Sequence, residues 1–379
     1  MDALRHANYC PMFFKGMYLE RRDSVTLSQG HCCSSGQGNL VKAVDFDHYA
    51  MFVHNRSNWS KEKTSGCEPC WLPERNQHHS FRLGYVDWLA KQPDCDPLHP
   101  ELLKLDYNVG PLCNAKCLHC SATWSSAWAA EDAKYGASSA LPIFFSDTVK
   151  NDVVSQINVD RLQVLYLNGG EPFLSVDMPA LLHKVKAQGN IANLKFQSNT
   201  NGSIRPSDEI IDLWMQCAEV DIFVSLDAIE QQFEYIRYPL QWTTVLDNIE
   251  FLCGLSDRIK VTFSIAMGVH NVDEIQRTWQ WFQQHRQRRN QQQTQFGIHR
   301  VYGTLDLMHS SQQLRDTWLD QLDPTGYWTP WVRTLITHGE PGNDTVWLEY
   351  LQMIDQRRGL DWSHSLPGLA SSLKKSTMR

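Results

Sequence analysis

The chain lacks the features that would place it in a membrane or on a nucleic acid. No apolar run in its 379 residues approaches the roughly 20 residues that span a bilayer. The opening MDALRHANYCPMFF has no basic segment followed by an apolar one, so no secretory signal is predicted. The net charge is −7, which leaves no excess of Lys and Arg to neutralise phosphates. We therefore expect a cytoplasmic protein with neither a membrane nor a nucleic-acid partner.

The chain also lacks internal repeats. Its domain organisation is predicted instead from changes in composition and hydrophobic pattern along the sequence. Residues 1–98 are rich in loops and cysteines, and the proline-rich stretch LAKQPDCDPLHPELL predicts a domain boundary. Between residues 102 and 302, six short apolar segments that are typical of strands alternate with helical patterns. This alternation implies a parallel sheet with right-handed crossovers. After about residue 310 the pattern is helical, with Gly359 as a predicted C-cap.

These patterns predict an α/β fold built around a partial (β/α)6 barrel of the TIM type. The hydrophobic content of 42% is enough for one large core and one smaller domain. In such a barrel the active site lies at the carboxyl ends of the strands. The predicted parts are a small loop-rich domain at 1–98, the barrel at 99–309, and a helical C-terminal extension with a flexible tail at 310–379.

The 11 cysteines predict metal binding or catalysis, because disulfides are rare in a reducing cytosol. Five lie in the first seventy residues, and three form the tight motif CNAKCLHC directly after the first strand predicted in the barrel. The other three fit linker or core positions. The two groups are Cys10, Cys32, Cys33, Cys67 and Cys70, and then Cys113, Cys117 and Cys120.

Three thiolates on a four-iron cluster leave one iron with an open position, where a substrate can bind. The alternative is a zinc site with His119 or a distant cysteine as its fourth ligand. The segment YLNGGEPFL, residues 166–174, follows the next predicted strand. Glycines at that position let the backbone approach a ligand closely, although a tight turn would account for two glycines equally well.

Together, the C-x3-C-x2-C motif after one strand and GGEP after the next resemble the paired signature of the radical S-adenosylmethionine (SAM) enzymes. The resemblance covers roughly residues 102–302. It implies that Cys113, Cys117 and Cys120 are the catalytic cysteines, holding a [4Fe–4S] cluster whose open iron binds the amino and carboxylate groups of SAM. Reductive cleavage of SAM would then give a 5′-deoxyadenosyl radical that abstracts hydrogen from a substrate.

Further positions resemble the branch of this superfamily that includes peptide-modifying and sulfatase-maturing members. They are SNTNG at 198–202, SLD at 225–227, and an arginine ten residues after Asp227. In that branch the matching side chains bind SAM. The resemblance implies these SAM-binding residues: His119, Gly169, Gly170, Glu171, Pro172, Asn199, Asn201, Ser225, Asp227 and Arg237.

Two positions depart from the pattern of that branch. Phe233 and Glu234 stand where a His-Asp pair usually precedes the arginine, so a surface arginine is the alternative for Arg237. His119 stands where Tyr, Phe or Trp is usual, and its flat ring could still stack near adenine.

The cysteine segments YCPMFF, HCC and GCEPC resemble a twitch domain, the shorter relative of the SPASM domain. Such domains carry one auxiliary [4Fe–4S] cluster and usually follow the core. Here the segment precedes the core, as it does in one subgroup. The stretch GQGNLVKAV resembles the GNL element of that subgroup. A structural zinc site is the alternative, because C-x2-C suits zinc equally well. The implied auxiliary ligands are Cys10, Cys67, Cys70 and one of Cys32 and Cys33.

The resemblance therefore implies a radical SAM enzyme, either an oxidoreductase or an enzyme that modifies peptides or proteins. Twitch and SPASM relatives most often act on peptides or proteins, although no leader-peptide-binding domain is evident here. An auxiliary cluster would relay an electron or order the substrate, and a flavodoxin- or ferredoxin-like protein is the expected reductant. The alternatives are a small-molecule dehydrogenase or mutase and a non-catalytic iron–sulfur or zinc scaffold.

Overall fold

The structure, a computed structural model, describes most of the chain. Cys33 and part of the GQGNLVKAV segment lie outside the described residues, so what was predicted for them stays a prediction. The described residues are 3–21, 26–32, 39–42, 53–61, 63, 67–75, 79–92, 94–137, 154–289 and 294–378.

The described residues contain strands in the order β3-β2-β1-β4-β5-β6-β7-β8-β9, which confirms the α/β class. The pairs β1–β4, β4–β5, β5–β6 and β8–β9 are parallel, whereas β1–β2 and β2–β3 are antiparallel. Closure into a partial barrel stays a prediction. The strands are β1 Gly16–Arg21, β2 Thr26–Gly30, β3 Asn39–Lys42, β4 Lys104–Asn108, β5 Val164–Asn168, β6 Lys195–Thr200, β7 Glu219–Ser225, β8 Ile259–Met267 and β9 Gln295–Arg300.

Helices follow the strands of the predicted barrel and form most of the C-terminal part. The α-helices are α1 Met12–Lys15, α2 Val53–Asn58, α3 Glu68–Arg75, α4 Phe81–Ala90, α5 Ser126–Lys134, α6 Asp177–Ala187, α7 Asp208–Trp214, α8 Glu230–Ile236, α9 Trp242–Leu255, α10 Ile275–Arg289, α11 Gln312–Gln321, α12 Thr329–Ile336, α13 Thr345–Arg358, α14 Trp362–Ser365 and α15 Pro367–Thr377.

The chain divides into two compact units whose borders differ from the predicted ones at 98/99 and 309/310, which stay predictions. The first unit comprises Met1–Cys113, Ala122–Asn199 and Pro206–Asp221, and the second comprises Asn114–Ser121, Thr200–Arg205 and Ile222–Arg379. No helix in the described ranges is both long and apolar enough to cross a membrane.

In the first unit, the N-terminal segment adds strands to the sheet. β1 pairs in parallel with β4, with Gly16 opposite Lys104 and Glu20 opposite Asn108. Met17 and Leu19 of β1 are buried, so alternate side chains of the strand enter the core. The expectation of a mainly loop-built N-terminal region therefore missed strands that pair with the core.

The two faces of β4–β6 in the first unit differ in polarity. Leu105, Leu167 and Phe196 are fully buried, and helices α6 and α7 pack on their face. Tyr107 Oη donates to Asp177 Oδ2 of α6 (3.1 Å), and Phe196 lies against Trp214 of α7. Each such buried apolar side chain contributes about 1.5–3 kcal/mol. The side chains between them in sequence are polar and face away from these helices.

The second unit has its own core around β8, whose residues alternate between buried and half-buried. Phe263 of β8 packs on Phe282 of α10. The predicted flexible tail is wrong, because residues from Pro367 form helix α15. Ser372 of this helix is fully buried, and its hydroxyl donates to Asp273 Oδ1 (2.9 Å). Gly359 ends α13 with φ +66°, which confirms the predicted C-cap.

Candidate functional site

The GGEP segment contacts the start of the cysteine loop within the first unit. The Gly170 N–H donates to Gly110 O (2.8 Å), and the Glu171 N–H donates to Leu112 O (2.7 Å). A Cβ on Gly170 would collide with the Leu112 carbonyl, and Gly169 has φ +122°, a conformation that strains any side chain. These glycines are required because two stretches of backbone approach each other here.

The rest of GGEP forms a capped turn. Glu171 is fully buried, and its carboxylate accepts a hydrogen bond from the Phe173 N–H (3.1 Å) at the start of the short 3-10 helix Pro172–Leu174. Pro172 occupies the first position of that helix, where no N–H is needed. The segment thereby forms an edge beside residues 110–112, at the start of the cysteine loop.

Cys113 is anchored by the first residue of α5, again within the first unit. Its N–H donates to Ser126 Oγ (3.1 Å), and the same hydroxyl donates to Cys113 O (3.1 Å). The Ser126 N–H in turn donates to Pro111 O (2.7 Å). Sequence reasoning missed Ser126, and the only available signal was that Ser125 and Ser126 stand where a helix begins.

The remainder of the cysteine loop, residues 114–121, is held by backbone contacts within the second unit. The Lys116 N–H donates to Tyr238 O (2.6 Å), and the Leu118 N–H donates to Ile236 O (2.8 Å). Tyr350 of α13 donates its hydroxyl to Leu118 O (2.6 Å). The C-terminal extension therefore contributes directly to the shape of this loop.

A buried ion pair places a fixed cation beside Cys117. Arg237 Nη2 lies 2.7 Å from Asp227 Oδ2, and Arg237 Nη1 lies 3.6 Å from Cys117 Sγ. Both charged side chains are almost completely buried, so the alternative of a surface arginine is wrong. Asp227 has φ +59° and accepts a hydrogen bond from the Ala266 N–H (2.7 Å), which fixes its carboxylate.

The charge on Asp227 is stabilised despite burial. Burial alone raises the pKa of this carboxyl, but the Arg237 guanidinium acts against it. The Ala266 N–H acts in the same sense, and the net pKa lies below its ordinary value. The aspartate is therefore ionised at neutral pH.

His119 and His270 form a flat pair beside this charged group. Their rings stack at 5.7 Å between centroids, and His119 Nδ1 lies 3.6 Å from Asp227 Oδ2. Burial lowers the pKa of both imidazoles, that of His270 to about 3, so both are neutral. Within the described part of the chain, neither ring nitrogen of His270 has a hydrogen-bond partner. Buried polar atoms of this kind fit a site that receives a ligand.

The remaining predicted SAM-binding residues lie at strand ends. Asn201 is buried and donates to Asn114 Oδ1 of the cysteine loop (2.8 Å), while its own Oδ1 accepts from the Ser203 N–H (2.9 Å). Ser225 ends β7 and is half-buried in the second unit, and Asn199 is half-buried near the end of β6 in the first. Of these three, Asn201 is the one whose side chain contacts the cysteine loop.

A second group of cysteines converges in the first unit. Four side chains from separate parts of the N-terminal segment line one cavity, and all four are buried. Two of them flank the start of α3, where the Cys70 N–H donates to Cys67 O (3.0 Å). The four residues are Cys10, Cys32, Cys67 and Cys70.

A charged pair and a histidine accompany these thiols. Arg82 Nε donates to Glu74 Oε1 (2.9 Å), and Arg82 Nη1 donates to Tyr9 O (2.7 Å), so the guanidinium is fixed at the cavity wall. His31 Nε2 lies 3.6 Å from Cys67 Sγ. Sequence reasoning missed Arg82 and His31, although His31 adjoins Cys32 in the HCC motif.

The donor set of four buried thiols suits a metal site. Burial, together with the neighbouring thiols, raises the pKa of Cys10, and it raises that of Cys67 to about 12. Four such thiols bind as thiolates only where a metal supplies compensating charge. Four thiolates can hold either a [4Fe–4S] cluster or a zinc ion.

Residues 107–282 match the model of the radical SAM superfamily. The matched segment contains Cys113, Cys117 and Cys120, the GGEP turn, and the Asp227–Arg237 pair. The similarity to the radical SAM superfamily therefore covers residues 107–282. The N-terminal auxiliary domain lies outside the match and stays a prediction.

Several solved structures are similar to the chain at low identity. "Native anSMEcpe with bound AdoMet" has 14% identity and a TM-score of 0.42, over 65% of this chain and 64% of that one. Streptococcus suis SuiB bound to S-adenosylmethionine has 11% identity and a TM-score of 0.31, over 52% and 47%. The methyltransferase TsrM from Kitasatospora setae has 13% identity and a TM-score of 0.34, over 52% and 36%. No curated protein sequence matches the chain significantly.

Proposed function

We propose that the chain is a radical SAM enzyme that abstracts hydrogen from a peptide or protein side chain. The observation that carries the proposal is the superfamily match over residues 107–282, which contains the three-cysteine loop. The cluster, when bound, supplies the electron that splits SAM into methionine and a 5′-deoxyadenosyl radical. The chain's own residues hold, orient and enclose these groups.

The three cysteines of the loop are the proposed ligands, and each is positioned by a different contact. Ser126 fixes Cys113, backbone hydrogen bonds to residues 236–238 fix the loop around Cys117, and the Cys120 N–H donates to Cys117 O (3.0 Å). The buried Arg237 guanidinium lies beside Cys117, where it favours the thiolate that iron requires.

SAM is proposed to bind through groups that the fold leaves fixed around the loop. The neutral rings of His119 and His270 offer a flat surface and unpaired ring nitrogens. Asn201 is held against the loop through Asn114. The Asp227–Arg237 pair keeps opposite charges rigid, so little reorganisation is needed when a charged ligand arrives.

An auxiliary [4Fe–4S] cluster is proposed at Cys10, Cys32, Cys67 and Cys70. The support is that all four buried thiols line one cavity. Four ligands occupy every iron, so the proposed role is electron transfer or substrate ordering. A small flavodoxin- or ferredoxin-like protein is the proposed electron donor to the enzyme.

The test is an anaerobic assay of reconstituted protein with dithionite and SAM, in which 5′-deoxyadenosine and iron are both measured. Wild type is expected to hold about eight irons and to form the nucleoside. The triple variant Cys113→Ala, Cys117→Ala, Cys120→Ala is expected to hold about four irons and to form none. The matched control is Cys95→Ala, Cys217→Ala, Cys253→Ala, which should behave as wild type. Wild-type protein that binds zinc, or iron without forming nucleoside, would contradict the proposal.

A further inference from the structure

We propose that a pocket on the polar face of the first unit's sheet anchors an uncharged aromatic or aliphatic side chain of an extended peptide substrate. The inference rests on the proposed radical SAM function and adds a subsite that holds the substrate away from the reacting residue. The pocket has a volume of about 480 Å³. That is within the range of cavities that receive a small ligand or one large side chain.

Helix α4 supplies the apolar wall of this pocket. Phe81, Tyr85 and Trp88 line it, and Gly84 leaves room between them. Phe81 is 67% exposed, which is unusual for so large an apolar ring and marks a surface available to a ligand. Phe81 and Tyr85 also line the four-cysteine cavity, so a side chain in the pocket would lie beside that site.

Two lysines form the floor of the pocket, and carboxylates already neutralise the charge of both. Lys104 forms an ion pair with Asp106, and Lys195 lies 3.0 Å from Glu219 Oε1 and 2.7 Å from Asp221 Oδ2. Lysines that are paired in this way offer no net attraction to a phosphate or a carboxylate. The aromatic wall therefore determines which class of ligand binds. It favours an uncharged apolar group over an anionic metabolite.

The distance from this floor to the GGEP turn indicates an extended ligand. Lys104 and Asn108 lie on the same face of β4, at its two ends, because side chains alternate along a strand. Four residues of strand separate them by about 13 Å. Asn108 Oδ1 accepts from the Gly110 N–H (2.9 Å), so this end of the face adjoins the cysteine loop. A peptide would span that distance with about four extended residues.

The surface along this path suits a peptide backbone. Tyr166 and Asn168 of β5, together with Gln197 and Asn199 of β6, are half-buried polar residues on the same face of the sheet. Amide and hydroxyl groups of this kind both donate to and accept from peptide groups. A small rigid metabolite could fill the pocket but would not use the rest of this face.

The test compares two glycine substitutions in the reconstituted protein. Gly84→Leu places a side chain in the pocket, and its Cβ meets only the His79 ring at an ordinary 3.5 Å. Gly254→Leu makes the same change in helix α9, where nothing lies within 4 Å of the added Cβ. Both substitutions replace a helical glycine by a better helix former, so helix propensity changes in the same direction in both.

Three uncharged probes are measured by equilibrium dialysis. The first is an acetylated and amidated peptide in which a central tryptophan is flanked on both sides by a short run of glycines. The second is the all-glycine peptide of the same length with the same end groups. The third is N-acetyltryptophanamide, which offers the aromatic side chain without an extended backbone.

The tryptophan peptide is expected to bind wild type and Gly254→Leu alike and to bind Gly84→Leu at least about tenfold more weakly. The all-glycine peptide and the single amino-acid amide should both bind more weakly than the tryptophan peptide. Equal binding to Gly84→Leu, no binding to wild type, or equal binding of the amide would overturn the inference. Nucleoside formation is measured on the same samples. SAM cleavage without peptide binding would reject this subsite alone, whereas absent SAM cleavage would reject the proposed function.

Discussion

The two cysteine sites of this chain differ in how completely their thiols are buried. The N-terminal site has four buried thiols, which come from elements far apart in the sequence. The loop site has three thiols within eight residues, and two of them, Cys113 and Cys120, are half-buried. The closed site needs the folded chain to bring its ligands together, whereas the sequence itself brings the loop ligands together. Closure suits a group that only exchanges electrons, and partial exposure suits one that must receive a ligand.

The two sites share one structural feature: an arginine that is paired with a carboxylate lies beside the thiols. Arg82 is fixed by Glu74 in the closed site, and Arg237 is fixed by Asp227 in the loop site. A guanidinium is always charged, so each site has a permanent cation. The difference between the sites therefore lies in access rather than in the sign of the nearby charge.

The largest expected effect separates the two sites by function. Cys67→Ala with Cys70→Ala should leave the formation of 5′-deoxyadenosine from SAM measurable while removing about four irons. Loss of the loop cysteines should abolish the formation of 5′-deoxyadenosine. The measurement is nucleoside and iron per chain, with product formation followed separately. If both variants lost SAM cleavage equally, the closed site would be needed for the structure or loading of the loop site.

The second expected effect concerns the carboxylates that hold the arginines. Asp227→Asn leaves Arg237 buried without its counter-charge, and this should lower the free energy of unfolding by about 3–5 kcal/mol. Glu74→Gln should cost less, because the Glu74 side chain is 16% exposed and the Tyr9 carbonyl still accepts from Arg82. Urea denaturation of the two apo variants measures this difference.

The matched control for those variants is Glu209→Gln. Glu209 pairs with His183 at the surface, where both side chains are at least half exposed. Its loss should change the free energy of unfolding by less than about 1 kcal/mol. An Asp227→Asn variant as stable as this control would mean that the buried pair does not hold the loop site.

The third expected effect is a difference in thiol reactivity in the metal-free protein. The pKa of Cys67 is about 12 because of burial and the neighbouring Cys70, so very little thiolate is present at pH 8. Alkylation by iodoacetamide should be at least about tenfold slower at Cys67 than at the half-buried Cys113 and Cys120. Peptide mass spectrometry measures the rate at each residue. Cys217, whose pKa burial also raises to about 12, should react as slowly as Cys67.

The same contrast explains how much of the molecule the sequence could predict. The loop site could be proposed from the sequence because its three cysteines are close together and the GGEP turn follows the next strand, and it stays a prediction. The strand-and-helix alternation after residue 102 was predicted for the same reason, because hydrophobic periodicity is a local signal. β8, Ile259–Met267, lies in the range where the six strands were predicted.

What the sequence did not predict depends on contacts between distant residues. The pairing of β1 with β4 spans more than eighty residues and leaves no local pattern. The burial of Arg237 follows from the fold around Asp227, so the sequence alone left a surface position open. The C-terminal tail is polar and lysine-rich in sequence, and it forms a helix because Leu369 and Ser372 dock into the second unit's core.

The smallest expected effect tests whether the C-terminal extension serves the loop site in particular. Tyr350→Phe removes one hydrogen bond to Leu118 O and leaves a carbonyl of the cysteine loop without that donor, at a cost of about 1 kcal/mol. We expect faster loss of iron to a chelator from the loop site and an unchanged rate from the closed site. Two kinetic phases of about four irons each would resolve the sites, and Cys67→Ala with Cys70→Ala would assign them. Tyr302→Phe is the control, since that ring is 75% exposed and its loss should change neither phase. If Tyr350→Phe accelerated both phases equally, the hydrogen bond would support the whole fold. The C-terminal extension would then not serve the loop site in particular.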